Sequence, residues 1–465
     1  MPPRDRFEAW FDGEDLPPAT SGPSPRNLPR PGSGLTRFIG LVTACVLLIG
    51  LVGGAHRAGF IRVPGEPDIG VVSPTPTPTD GSVTPTPPPS PTPTPTAPPT
   101  PAIAGRLPIE TCKISNSEEV DFGSGFPISQ NAATVTTGTI RVALAFVDFP
   151  NSQETGSIDS AFDKIASRVS AVYKEMSYGK LTVEFVKIPG WIRMDKASNA
   201  YQISQEGLGD YTDTVAYASE VIRKTDPTVD FTGVDSIVVF ASEEAPGIAG
   251  DYEQTLSEPL KTKEVSSIQS VIVSGGGWWL QSWDPTAISH ELGHTLGLAD
   301  LYDINAEENG PINPFVGDFD FMSYAYEESL APSLLGWDRW RLGWISDDAV
   351  ICLKPTAENR VTLSPLQSGK GALLAVVPLS ATRVLVMESR RPIGIDSKLP
   401  DSGVLVYIVD SRVDSGLGPI RVQGTWTSES MSEALLSVGE YLEASGWVVS
   451  VTRNEVWGNE FAIFP

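Results

Sequence analysis

Residues 289–303 read SHELGHTLGLADLYD and carry two of the three histidines in a chain of 465 residues. The preceding WDPTAI (283–288) offers Asp284 as a helix cap and Pro285 as a first helical residue, so a helix is predicted from Pro285 to about Leu296. On that helix His290 and His294 stand one turn apart on a single face. Ile288, Leu292 and Leu296 form a second stripe, displaced by about 200° at 100° per residue. One side of the helix therefore suits a core while the other presents two imidazoles to a cleft.

Neutral imidazoles at i and i+4 supply two of the four positions of a tetrahedral zinc ion. Glu291 lies on the flank of the same face, where it can take a proton from a water that the cation has made acidic. Gly297 stands where a helix ends in a left-handed turn, which lets the chain fold back beneath the metal. Asp300 follows six residues after His294 and is the expected third ligand, with Asp303 the nearest competitor. Further on, DFDFMSYAY (318–326) places Met322 and Tyr324 about 20 residues beyond that ligand.

The order His-Glu-x-x-His-x-x-Gly-x-x-Asp resembles the extended zinc signature of metzincin-type proteases, with aspartate where most of them carry a third histidine. Met322 is similar to the methionine of their Met-turn, and Tyr324 to a tyrosine that approaches the metal or donates to the oxyanion. Four stretches widen the likeness: YKEMSYGKL (173–181), the zinc helix, LLGWDRWRLGWI (334–345) and LVMESRRPIGIDSKLPDSGVLVYIVD (385–410). Together they resemble the immune inhibitor A family of bacterial secreted metalloproteases, over roughly residues 138 to 412. The resemblance implies a zinc endopeptidase acting on protein or peptide substrates, with His290, Glu291, His294, Asp300 and Met322 at its centre. Calcium is often part of such enzymes, and Asp318 and Asp320 are the oxygen donors near the site that could bind it.

The expected fold is α+β, a metzincin-like domain over residues 105–349 followed by a β-rich, sandwich-like domain over 350–465. TIRVALAFVDF (139–149), LTVEFVKI (181–188) and DSIVVFAS (235–242) read as strands, and residues 158–177 and 211–224 as helices. Gly179 supplies a stop for the first helix. After residue 350 the runs RVTLSPL, ALLAVVPL, RVLVMES, GVLVYIVD and WVVSVT read as strands.

Residues 1–36 have the composition of a disordered segment. Residues 37–56 include an uncharged run, FIGLVTACVLLIGLVGGA, near the roughly 20 residues that span a bilayer. Arg26, Arg30 and Arg37 before it, against Arg57 and Arg62 after it, favour a cytoplasmic N-terminus and an extracellular remainder at the cell membrane. Residues 57–104 include a Pro/Thr repeat that favours polyproline II and, at about 3.1 Å per residue, reaches roughly 90 Å from the membrane.

A net charge of −24 leaves no basic surface for nucleic acid. Of three cysteines, Cys45 sits in the apolar run; Cys112 and Cys352 are left to form a disulfide, to stay as free thiols, or, for Cys112, to cap the zinc in a latent state. Two other functions use the same residues: a catalytically silent adhesion or sensing module, and a zinc amidase acting on cell-wall peptides.

Overall fold

The computed structural model describes residues 105–465 apart from 121, 129–131, 204–210, 249, 265–267, 276–284, 307–312, 324–332, 400 and 425–430. The expected cytoplasmic segment, membrane run and stalk lie outside the described residues, as do Asp284 and Tyr324. Among those described, no helix is long and apolar enough to cross a membrane.

The first layer of the fold follows from strand β1 (Gly138–Asp148), whose residues are buried almost throughout. A strand covered on both faces needs apolar side chains at successive positions, which is why TIRVALAFV does not alternate. Helix α1 (Asp159–Met176) returns the chain to strand β2 (Leu181–Arg193), parallel to β1, with Gly179 in the left-handed conformation at the helix exit. Helix α2 (Tyr211–Thr225) leads to β3 (Ser236–Ala241), and β4 (Asp251–Leu260) and β5 (Ile268–Ser274) complete a sheet of order β2-β1-β3-β5-β4. All neighbours are parallel except β4, which runs antiparallel along one edge. Ile140, Val142, Leu144 and Phe146 of β1 face a core shared with α1, whereas Ala143, Ala145 and Val147 face a second core with Tyr217, Ala218 and Val221 of α2. The result is helix, sheet, helix.

Helix α3 (Pro285–Thr295) lies on the α1 side, within a residue of its expected span. Ile288, Leu292 and Leu296 are buried in the same core as α1; full burial of each side chain stabilises by roughly 1.5–3 kcal/mol. The Tyr173 hydroxyl of α1 donates to the carbonyl of Ser289 at 2.6 Å, which fixes the depth of α3 against α1.

Short helix α4 (Gly336–Arg341) and strands β6 (Val350–Cys352), β7 (Asn359–Leu363), β8 (Leu374–Pro378), β9 (Arg383–Arg390), β10 (Gly403–Asp410), β11 (Ile420–Val422), β12 (Leu435–Leu436), β13 (Tyr441–Ala444), β14 (Trp447–Glu455) and β15 (Gly458–Phe464) follow. They build a sheet of order β11-β10-β9-β8-β6, with β12 pairing β10, and a four-stranded sheet β13-β14-β15-β7. Ala375, Val377, Leu385, Met387, Val404 and Val406 pack against Val449, Val451, Phe461 and Ile463, so these two sheets share a core. The opposite face of the first, through Leu374, Val376, Val384, Val386, Leu405 and Tyr407, belongs to the core that holds α3. One hydrophobic core thus continues across residue 350. Cys112 and Cys352 are joined by a disulfide, and the adjacent backbone bonds Leu107 to Cys352 and Lys354 to Gly105. The bond leaves Cys112 no thiol with which to cap a metal.

Candidate metal centre

Helix α3 ends as the sequence requires. Gly297 adopts φ +92°, its N–H donates to the carbonyl of His294, and the Leu298 N–H reaches the carbonyl of Gly293. This paired closure needs a left-handed residue, and a Cβ at Gly297 would also press on the backbone of Ala132. The chain then doubles back so that Asp300 faces the helix it has just left.

Three acceptor atoms meet there. Asp300 Oδ1 lies 3.1 Å from both His290 Nε2 and His294 Nε2, and the two Nε2 atoms lie 3.2 Å apart. Each Nδ1 is 2.8 Å from a backbone carbonyl, that of Phe321 for His290 and of Leu298 for His294. A carbonyl can only accept, so each ring carries its proton on Nδ1 and turns an Nε2 lone pair inwards. Two lone pairs and a carboxylate oxygen pointed at one another repel unless a cation lies between them. A triangle of this edge has a point about 2 Å from all three corners, the usual zinc–ligand distance, with the remaining tetrahedral direction free. The residues therefore fit zinc. Among the described residues this is the sole set of three potential metal ligands that converge.

The electrostatics agree. For His294, burial opposes protonation, but the charge and hydrogen bond of Asp300 overcome it and push the pKa up to about 10. His290 is raised as well, Asp300 again outweighing burial. For Asp300 itself, burial is outweighed by the two histidines, which hold it far below the ordinary carboxylate range. The field that would hold a proton here is the field that would hold a metal. Glu291, buried on the flank of α3, is pushed up to about 7 by desolvation against the pull of both histidines.

Met322 lies buried beneath the helix, and a Cβ on Gly293 would collide with its sulfur. That contact explains the glycine inside the His-Glu-Leu-Gly-His run. The turn around Met322 also positions the donors: Phe321 gives the carbonyl for His290, and the carbonyl of Met322 accepts the N–H of Leu301 beside Asp300. Asp303, the competing ligand, instead accepts the N–H of Asn305 and caps a turn.

The calcium expectation finds no support. Asp320 is fully enclosed and its two oxygens accept the N–H groups of Met322 (2.8 Å) and Leu335 (2.6 Å), while Asp318 accepts from the Asn313 amide. Asp320 thus holds the Met322 turn and is already satisfied by donors.

Several participants carry no local motif. Glu388 of β9 accepts the Gly336 N–H and the Tyr407 hydroxyl, and Tyr407 in turn accepts the Trp337 N–H. Arg390, buried, pairs with Glu388 and donates to the carbonyls of Phe319 and Leu334. These groups cap the first turn of α4 and brace both ends of the segment that carries Met322. The signal available beforehand was charge within apolar runs such as LVMESRR.

No family model and no curated protein matches the chain. Among solved structures, metalloproteinase-II from Bacteroides fragilis is 16% identical over 46% of this chain and 55% of its own, with a TM-score of 0.26. This chain thus spans about half the length of that protein. Archaemetzincin from Methanopyrus kandleri is 17% identical over 44% of this chain and 94% of its own, TM-score 0.22. Catalytically inactive OgpA from Akkermansia muciniphila, solved with an O-glycopeptide, is 10% identical over 62% and 92%, TM-score 0.26. Overlaps this slight do not establish a relationship, and the chemistry rests on the side chains.

Proposed function

We propose that this chain is a zinc-dependent endopeptidase of the metzincin-like, immune inhibitor A-like kind, held outside the cell by an N-terminal membrane helix and a Pro/Thr stalk. The observation that carries the reading is the triangle of two imidazole Nε2 atoms and one carboxylate oxygen, each edge 3.1–3.2 Å, with both Nδ1 atoms turned outwards to backbone carbonyls. His290, His294 and Asp300 would hold the ion, which when bound polarises a scissile carbonyl and makes water acidic near neutral pH.

The protein's own part is positional and basic. Glu291, fixed between the two histidines on α3, removes a proton from the attacking water and returns it to the leaving amine. The Phe321 and Leu298 carbonyls keep both imidazoles in the tautomer with a free Nε2. Tyr324, in this reading, donates to the oxyanion.

Cleavage of casein by the full chain, abolished by a chelator and restored by zinc, tests the proposal. Glu291→Gln should lose cleavage while retaining one zinc per chain. Casein cleavage undiminished in that variant would refute the catalytic assignment, and digestion of purified cell-wall peptide without casein cleavage would favour an amidase.

A further inference from the structure

The third corner of the triangle is held from far away in sequence. Ser415, in the loop between β10 and β11 and 115 residues beyond Asp300, makes two bonds to it. Its hydroxyl oxygen accepts the backbone N–H of Asp300 at 2.8 Å, and its O–H donates to Asp300 Oδ2 at 3.2 Å. The Gly416 N–H donates to the carbonyl of Asp300, and the Ile304 N–H to the carbonyl of Gly416. Gly416 sits at φ +71° where a Cβ would collide with Ile304, so the close approach requires glycine. Asp414 steadies the loop, its Oδ1 accepting the N–H of Ser415 and that of Phe122, both at 2.9 Å. The Phe122 ring stands edge-on to His294, with centroids 6.5 Å apart.

A carboxylate has two equivalent oxygens and one free torsion. Without a partner on Oδ2, Asp300 could rotate away from the histidines or offer both oxygens to one ion. With Ser415 in place, Oδ2 is occupied and Oδ1 alone faces both Nε2 atoms. We propose that Ser415 is a positioning residue that holds Asp300 as a one-oxygen ligand, so that the β-rich part of the chain completes the metal centre. This inference rests on the zinc reading above.

The test compares the full-length chain carrying Ser415→Ala or Ser415→Thr with the unaltered protein. Zinc affinity is measured by competition with a chromophoric chelator, and ligand geometry by the visible spectrum of the cobalt(II) form. Ser415→Ala should weaken zinc by about 10–100-fold and alter the cobalt spectrum, while Ser415→Thr, which keeps the hydroxyl, stays within about three-fold. Urea unfolding of the metal-free proteins separates a loop that is merely structural. Lower metal-free stability with unchanged zinc affinity and unchanged cobalt spectrum would overturn the proposal. Should Ser415→Ala fail to fold, Ser415→Thr against Ser415→Val makes the same comparison with one hydroxyl as the difference. If the unaltered protein binds no zinc, or His294→Ala binds it equally well, the zinc reading fails first and takes this inference with it.

Discussion

Two polar clusters in this molecule use similar residue types to opposite ends. In the first, His290, His294 and Asp300 turn three acceptors towards one point and keep 13–20% of their side-chain surface exposed. In the second, Glu388, Arg390 and Asp396 are wholly enclosed, and Arg390 stands against both carboxylates. The first has an excess of lone pairs and needs a cation; the second already contains one, as a guanidinium. Burial of charged groups therefore does not mark a site. What marks it is three ligand atoms converging on one point, at a place solvent can reach.

The contrast predicts that the clusters fail differently. His294→Ala should remove a metal ligand and lower peptide cleavage on the order of a thousand-fold, since a metal contributes several kcal/mol to such a reaction and each 1.4 kcal/mol is tenfold. Its metal-free urea midpoint should fall by less than that of Arg390→Met, because Asp300, one of the partners it leaves, keeps His290 and Ser415 beside it. Arg390→Met should act on folding instead. It strands Glu388 and Asp396 in the core and should cost about 3–5 kcal/mol in urea unfolding. A variant that lost zinc but kept its stability would place Arg390 in the wrong cluster.

The disulfide ties residue 112 to β6. Replacing Cys112 and Cys352 by alanine should lower stability by roughly 2–4 kcal/mol, measured by urea unfolding, with zinc stoichiometry unchanged. The last prediction concerns pH. Burial, with the nearby charge of Asp338, pushes Asp320 up to about 8, and Asp338 and Glu388 are raised by burial too. A carboxyl raised in the folded state stays protonated while its unfolded counterpart ionises. Its stability is complete below the ordinary carboxylate range and is lost as pH rises through the folded value. Stability should therefore fall as the pH rises from about 4 towards 8, the range over which Asp320 keeps its proton in the fold and loses it in the unfolded chain. Asp320→Asn should flatten that slope, and an unchanged slope would show that Asp320 is ionised in the fold.

How much of this was legible in the sequence follows the same division. Helix α3, its two histidines, Glu291, the left-handed Gly297 and Asp300 lie within 16 residues, where helix periodicity fixes the geometry. β1, α1 and β2 were readable because continuous or 3.6-residue apolar spacing survives in a single segment. β4 was not: DYEQTLSEPL is half-buried at a sheet edge and carries no apolar run. The part Asp320 plays in the Met322 turn was not legible, since spacing between carboxylates says nothing about the Leu335 N–H that one of them meets 15 residues later. Ser415 and Arg390 were invisible because their partners are set by tertiary packing, and no local pattern encodes a contact across 115 or 71 positions.

The central claim is that a metal occupies the triangle. Zinc K-edge X-ray absorption on the purified full chain, with metal content determined on the same sample, tests it most directly. The account predicts one zinc per chain bound at about 2.0–2.1 Å by two imidazole nitrogens and oxygen donors, without sulfur. A metal-free protein that fails to take up zinc, or a spectrum with sulfur ligands or a single imidazole, would contradict it.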